Sequence, residues 1–360
     1  MNQLTIDIDV PRTLYDVCVR TEIPLEGVTA VMGPSGAGKT TLLRCIAGLE
    51  RRGRIDVRMG SETWQGEGTF VPPHVRPVSM VFQSTQLFEH LDVAGNLRFA
   101  VERGKGRRGA AIELDRAVEL LGLASLLGQR PDALSGGQRQ RVAIARSLLA
   151  PARILLMDEP LASLDVPARR EILPYLRTLC EELALPIVYV SHDLDEIMAI
   201  AARMLVIEQG RLLASGPVEE LSTRLDLAMS HERQATSVMR GRVRHIDEQY
   251  GLAVASLEGA ENALLHLTTT SSHVGASINV RIAARDVSIA RTRPEATSIL
   301  NCLAGTIEQI DLDEPWFAMI RIRVGHQHLL ARITRKSLDD LELRAGDCVF
   351  ALVKSAAFWN

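Results

Sequence analysis

Apolar and polar positions change period along this chain, and the changes mark its elements. Residues 4–10 alternate, with Leu4, Ile6, Ile8 and Val10 separated by Thr5, Asp7 and Asp9, which predicts a half-buried strand at a sheet edge. Residues 28–32, 154–157 and 187–190 are instead short, nearly unbroken apolar runs, the pattern of parallel strands buried on both faces. Between them the period lengthens. Residues 40–49 read as a helix, residues 112–127 place Ile112, Leu114, Val118, Leu121 and Leu123 at helical spacing, and the stretch after Gln138 runs helically to a stop at Pro151. Strand runs alternating with helical runs predict an α/β domain built on an open sheet. Residues 50–80 hold short strand-like pieces with Gly, Pro and charge, which predict an antiparallel subdomain beside that sheet.

The pattern breaks near residues 229–235, a polar stretch, and beyond it come short β-branched runs with turn residues, as in a small all-β barrel. The tail also repeats itself. Thr236-Ser237-Val238 with Gly241-Arg242-Val243 is similar to Thr297-Ser298-Ile299 with Gly305-Thr306-Ile307, and the run from Gly275 to Ile282 is similar to that from Gly346 to Val353. The expected organisation is a first domain over 1–230, with a helical subdomain at about 84–150, and a second over 235–360 made of two half-repeats, 235–292 and 296–356.

Composition narrows the class. A chain of 360 residues favours two domains, and a formal charge of −3 with 24% charged residues argues against a nucleic-acid partner, which calls for a basic excess. No run approaches the eighteen apolar residues that cross a bilayer, and the start lacks the regions of a signal peptide. The 5 cysteines are scattered without paired spacing, as expected of reduced thiols.

The chemistry lies at the strand ends. Gly33-Pro34-Ser35-Gly36-Ala37-Gly38-Lys39-Thr40, followed by Thr41, fits G-x-x-x-x-G-K-[ST] between a strand run and a helix run. Its glycines let successive N–H groups turn inward on a β-phosphate at a helix N-terminus. Lys39, expected on a surface loop, reaches the β- and γ-phosphates, and the Thr40 hydroxyl binds Mg²⁺. Asp158 ends a buried strand run at the same sheet edge, where a carboxylate holds the metal or its water, and Glu159 is placed to polarise the attacking water as general base. The plainer alternative, an acidic strand end capping the next helix, explains neither two successive acids nor Pro160 after them. Ser135, Gly136, Gly137 and Gln138 open a further helix, with Ser135 as N-cap, and form a second anion site. One ATP has one γ-phosphate, so the second site makes sense if it serves a nucleotide held by another copy: a head-to-tail homodimer with two ATPs in its interface.

These motifs resemble those of the ABC-type ATPases, in the family's order and over residues 1 to about 225. The resemblance adds Gln83 at a strand end, Asp165 in the Ser163-Leu164-Asp165 loop at the dimer contact, and a switch histidine, His192, that meets the γ-phosphate. It implies a P-loop NTPase cassette with a mixed sheet core and antiparallel and helical subdomains. It also implies catalysis by Glu159, His192, Gln83 and Lys39, ATP held in cis by residues 33–41 and in trans by residues 135–138, and Mg²⁺ held by Thr40, Gln83 and Asp158. The family stacks adenine on an aromatic residue upstream of the P-loop. Tyr15 is the nearby choice, and it reads equally well as a strand-packing aromatic. The apolar patch from Leu87 to Val93 stands where importer ATPases of the family receive a helix of their membrane partner, and it reads equally as core packing.

The tail is similar to the OB-like TOBE or Mop module of importer ATPases, and the whole chain to the branch serving molybdate. This implies a translocase ATPase at the cytoplasmic face of the inner membrane, peripheral to two integral-membrane permease subunits, with an extracytoplasmic molybdate-binding protein in the full system. Sulfate, tungstate and sugar importers are the near alternatives; a soluble ABC ATPase without transport and a cytosolic molybdate store are the distant ones. Within the tail, Ser298, Thr334, Lys354 and Ser355 are the candidate oxyanion donors, but Leu300 stands where molybdate-binding versions carry a basic residue. The tail thus reads either as a regulatory oxyanion site or as a structural, dimer-forming barrel.

Overall fold

A computed structural model describes residues 3–104, 109–162, 164–183, 185–231, 235–268, 273–313, 315–354 and 357–359. It divides the chain into two compact units, Met1–Gly216 and Pro217–Asn360. The polar break at 229–235 lies inside the second unit. The short helix Val218–Leu221 and the residues after it belong there because Leu225 packs with Ala235, Ala284, Met319 and Leu330.

The first unit is built on an 11-stranded sheet. One half is parallel, in the spatial order Arg203–Glu208, Val28–Met32, Ile187–Val190, Ile154–Asp158, Val78–Val81. The unbroken apolar runs have a physical reason: successive side chains of one strand enter different cores. Leu155, Met157, Ile187 and Tyr189 face a core shared with Leu97, Leu121, Val142 and Ile144 of the helical region. Ile154, Leu156, Val188 and Val190 face a second core with Leu42, Leu43 and Ile46 of the P-loop helix, Lys39–Ala47.

The other half continues through Arg211–Pro217, Val17–Pro24, Gln3–Val10, Arg54–Met59, Glu62–Gly66 and Thr69–Phe70. Gln3–Val10 is therefore not the edge strand its alternation predicts, because it pairs antiparallel with Val17–Pro24 on one side and Arg54–Met59 on the other. Alternation reports that one face is buried and says nothing of whether a strand has two neighbours. The helical run expected over 112–127 is broken as well. It forms a helix Leu114–Leu120 and a short turn Ala124–Leu126, separated by Gly122 at φ +61°, a left-handed residue that ends a helix. Leu121, Leu123 and Leu126 still reach the core.

Register sets the site. Val31 and Asp158 both lie beside Val190, and Val81 beside Met157, so the parallel strands finish level at their carboxyl ends. The P-loop, Gln83, Glu159 and His192 all follow at that edge.

The second unit contains two 5-stranded sheets whose inner faces share one core. Strands Thr236–Asp247, Leu252–Leu257, Ala260–Thr268 and Ser277–Ala283 form most of one, and Asn301–Asp313, Phe317–Val324, Gln327–Thr334 and Cys348–Val353 most of the other, in the same spatial order. Each half then sends its last strand across: Val287–Ala290 pairs with Cys348–Val353, and Ala357–Trp359 with Ser277–Ala283. The long first strands bulge at matching places, between Val243 and His245 and between Ile307 and Gln309, two residues after Gly241 and Gly305. This register equates Ser237 with Asn301, which corrects the sequence match of Thr236-Ser237-Val238 to Thr297-Ser298-Ile299. The error has a cause: short Ser/Thr runs carry little register information, whereas the glycines are fixed by close approach, since a Cβ on Gly241 lies 2.9 Å from Ser256 O and one on Gly305 lies 2.7 Å from Arg323 O. Ser237 Oγ accepts from the Leu330 N–H, and Asn301 pairs with the backbone of His266, so each half buries one polar side chain against the other. Among the described residues no helix is long and apolar enough to cross a membrane.

Candidate functional site

A cleft of about 250 Å³ opens at the level strand ends, lined by Ser35, Gly36, Gly38, Lys39, Thr40, Thr41, Gln83 and Glu159. The loop around it requires glycine at two points. A Cβ on Gly33 falls 2.0 Å from Ile207 O, and Gly38, the N-cap of the P-loop helix, sits at φ 105° with no side chain to cap the N–H groups behind it. Those N–H groups and the helix dipole make this end an anion site.

Lys39 differs from expectation. It is not on an open loop but 3% exposed, because the P-loop wraps around its ammonium, which donates to Gly33 O (2.8 Å) and Pro34 O (3.0 Å) and lies 3.3 Å from Glu159 Oε1. Thr40 Oγ1 donates to Asp158 Oδ1 at 3.0 Å. Asp158 is buried, and burial pushes its carboxyl above the usual range against the pull of the Thr40 hydrogen bond. Thr40 and Gln83 line the cleft and Asp158 is hydrogen-bonded to Thr40 behind it, so a hydroxyl, an amide oxygen and a carboxylate are available, ligand types that suit a hard divalent cation.

Glu159 takes φ 45°, an uncommon conformation for a non-glycine residue, and its N–H donates to Val190 O. This turn out of the strand points the carboxylate at the cleft, with Lys39 on one oxygen and His192 Nδ1 at 3.5 Å from the other. His192 is half-exposed at the same edge. Tyr15 is not in a strand; its loop joins the first two strands, and its hydroxyl donates to Gly36 O of the P-loop. Tyr15 is therefore not itself a strand residue, and its ring lies beside Gly210 as well as the P-loop.

Residues 135–138 are not among those lining this cleft. Ser135 caps the helix Gly136–Leu148: its Oγ accepts from the Gln138 N–H and Gln138 Oε1 accepts from the Ser135 N–H, a reciprocal capping box that fixes an N-terminus with Ser135 exposed. Asp165 is exposed and its Oδ1 accepts from the Ala168 N–H, while Ser163 lies outside the described residues. In the tail, Thr334 Oγ1 accepts from the Ser337 N–H as a helix cap, Ser298 and Lys354 are exposed, and Ser355 lies outside the described residues. Among the described residues no hydrogen bond joins Ser298, Thr334 and Lys354.

Sequence reasoning missed Arg12 and Glu50. Arg12 Nη2 donates to Glu50 Oε2 at 2.6 Å and to Thr41 Oγ1 at 3.3 Å, tying the Tyr15 loop to the P-loop helix. No local pattern marks such a pair 38 residues apart. Burial pushes the Glu50 carboxyl up, but the Arg12 hydrogen bond and the N–H groups of Arg51 and Arg52 outweigh it and hold the group down at about 2. A depressed carboxyl stabilises the fold above its unfolded value and loses that contribution as pH falls through its folded one. Acid unfolding should therefore steepen between the ordinary Glu range and about 2, and Glu50→Gln should cost on the order of 2 kcal/mol at neutral pH and flatten that limb. Urea titrations at several pH values measure this, and equal slopes in both proteins would contradict it.

Residues 18–162 match the family described as ABC transporter, and residues 297–358 the TOBE domain. The chain is 47% identical over 351 residues to the molybdenum import ATP-binding protein of Methylococcus capsulatus, covering 97% of each chain. It is 42% identical to that of Pseudomonas syringae pv. tomato, covering 98% of each, and 43% identical to that of Hahella chejuensis, covering 95% of this chain and 94% of the relative.

Proposed function

The chain belongs to the ATP-binding proteins of ABC transporters that end in a TOBE domain, and from that premise we propose that it is the ATP-hydrolysing subunit of a molybdate importer. Similarity along nearly the whole chain to molybdenum import ATP-binding proteins is the observation that carries this. It works as a homodimer at the cytoplasmic face of the membrane beneath two permease subunits, which an extracytoplasmic binding protein supplies.

The residues act as follows. The glycine-rich loop and the N-terminus of the P-loop helix orient the triphosphate, and Lys39 neutralises it. Thr40, Asp158 and Gln83 would hold Mg²⁺, which would supply charge neutralisation on the phosphate oxygens. Glu159 takes the proton of the attacking water, and His192 steadies the same carboxylate from the far side. Tyr15, beside Gly36, offers its ring to the adenine.

The dimer reading is supported by residues 135–138 presenting a capped helix N-terminus away from the chain's own cleft. A Lys39→Ala chain mixed with a Ser135→Arg chain should regain part of wild-type ATP turnover, because one site of the mixed dimer then has an intact P-loop and an intact capped helix. No recovery over the separate proteins would contradict it. Docking of the permease at residues 87–93 is supported by a loop of fixed shape that is only partly buried: Phe88 packs against Phe99, ring centroids 4.6 Å apart, Glu89 and His90 are exposed, and buried Asn96 bonds Phe88 N and O and the Leu91 and Asp92 carbonyls.

For the tail, the barrel serves mainly as structure. Thr334 is engaged as a cap, and Leu300 is 58% exposed with nothing to offer an anion. A desolvated dianion needs several donors and a cation. Calorimetry on the full chain should show weak or absent molybdate binding; tight binding abolished by Lys354→Ala would show the regulatory reading to be right.

A further inference from the structure

Arg169, one turn into the helix Val166–Leu183, reaches two loops of the site at once. Its Nη2 donates to Leu164 O at 3.3 Å, next to Asp165. Its Nη1 meets Asp193 Oδ2 at 2.5 Å, and its Nε stands 3.2 Å from Glu196 Oε1 as an ion pair without an aligned N–H. Glu196 is nearly fully buried, and its other oxygen accepts from the Tyr189 hydroxyl (2.9 Å) and the Ser191 hydroxyl (2.8 Å). Ser191 Oγ in turn accepts from the Asp193 N–H. The residues on either side of His192 are therefore both anchored to a unit that Arg169 closes.

We propose that Arg169 is a positioning residue, which locks the loop carrying His192 to the stretch carrying Leu164 and Asp165 so that both are set for ATP hydrolysis together. This rests on the reading of the site as an ATP hydrolase. Arg169 does not line the cleft, and the Gly33 and Pro34 carbonyls that hold Lys39 accept from that ammonium. Its loss thus leaves the phosphate cradle intact while freeing His192 and its neighbours. A planar guanidinium suits the task because two of its nitrogens address a carbonyl and a carboxylate in fixed directions while the third faces a second carboxylate as an ion pair, which no ammonium does.

Misplacing a reacting constellation by about 1 Å costs about 10²-fold in rate. Arg169→Met is accordingly expected to lower kcat for ATP by about 10²-fold, with KM and calorimetric ATP affinity within about twofold of wild type. Asp193→Asn is the milder variant: its carbonyl oxygen still caps the Asp195 and Glu196 N–H groups, but the charge facing Arg169 is gone. It is expected to lower kcat by about tenfold. The double variant should turn over no more slowly than Arg169→Met alone, since residues acting as one unit are not additive. Should Arg169→Met fail to fold, Asp193→Asn decides by itself. Wild-type kcat in Asp193→Asn, a parallel loss of ATP affinity in either variant, or multiplicative effects in the double variant would each overturn the proposal. Wild-type turnover measured alongside separates the two failures: an inert wild type refutes the hydrolase reading and this proposal with it, whereas an active wild type matched by the variants refutes the proposal alone.

Discussion

Replacing Glu159 by Gln is expected to slow ATP hydrolysis by about 10²- to 10⁴-fold while ATP still binds. Glu159 brings a carboxylate to the cleft, which the proposal makes the acceptor of the water's proton, and its strained φ of 45° is what aims it there. A Gln side chain keeps an oxygen toward Lys39 but has no basicity, so the geometry survives and the proton transfer does not. On the proposed cycle, in which ATP closes the homodimer and hydrolysis reopens it, the variant should accumulate as dimer when ATP is added. Size-exclusion with and without ATP reads the second effect, and single-turnover hydrolysis the first. Normal turnover would return Glu159 to the role of a partner for Lys39.

Lys39→Ala should abolish ATP turnover and weaken ATP binding by at least about 10²-fold, because the ammonium is a cation enclosed by the phosphate loop. The burial of Lys39 adds a structural consequence. Its removal leaves two loop carbonyls and the Glu159 carboxylate without their donor, which should cost roughly 1–3 kcal/mol of stability. The protein should remain folded with a lowered melting temperature, and circular dichroism with a thermal melt separates this from loss of the site itself. Unchanged turnover would contradict the assignment of the loop.

The parts of this account that were legible in the sequence share a property: they are local. A glycine pattern, an apolar run ending in acids and a Ser three residues before Gln each fix a few backbone dihedrals or one cap, and the same run that buries a strand on both faces also announces its place in a parallel sheet. What escaped the sequence depends on separations of tens of residues. The inner position of Gln3–Val10 is decided by a partner strand at Arg54–Met59. The burial of Lys39 is completed by Glu159, which follows a distant strand and lies 3.3 Å from its ammonium. The exchange of the last strands between the tail's halves, Val287–Ala290 for Ala357–Trp359, follows from topology that repeats alone do not specify. Arg76 makes the same point. It is fully buried, donating to Cys45 O and Ile46 O at the end of the P-loop helix and to Gln65 Oε1, and burial lowers its pKa to about 10. Its place under Gly48, where a Cβ falls 2.7 Å from the guanidinium, has no signature in the residues around either.

The central claim is that this chain's ATP hydrolysis drives molybdate uptake, and it is tested most directly in vesicles carrying the chain with its permease pair and the extracytoplasmic binding protein. ATP hydrolysis and uptake of labelled molybdate are followed together. The account predicts that molybdate raises the ATPase rate several-fold, that uptake accompanies it, and that Glu159→Gln abolishes both. An ATPase rate indifferent to molybdate, or one that sulfate stimulates in its place, would contradict it.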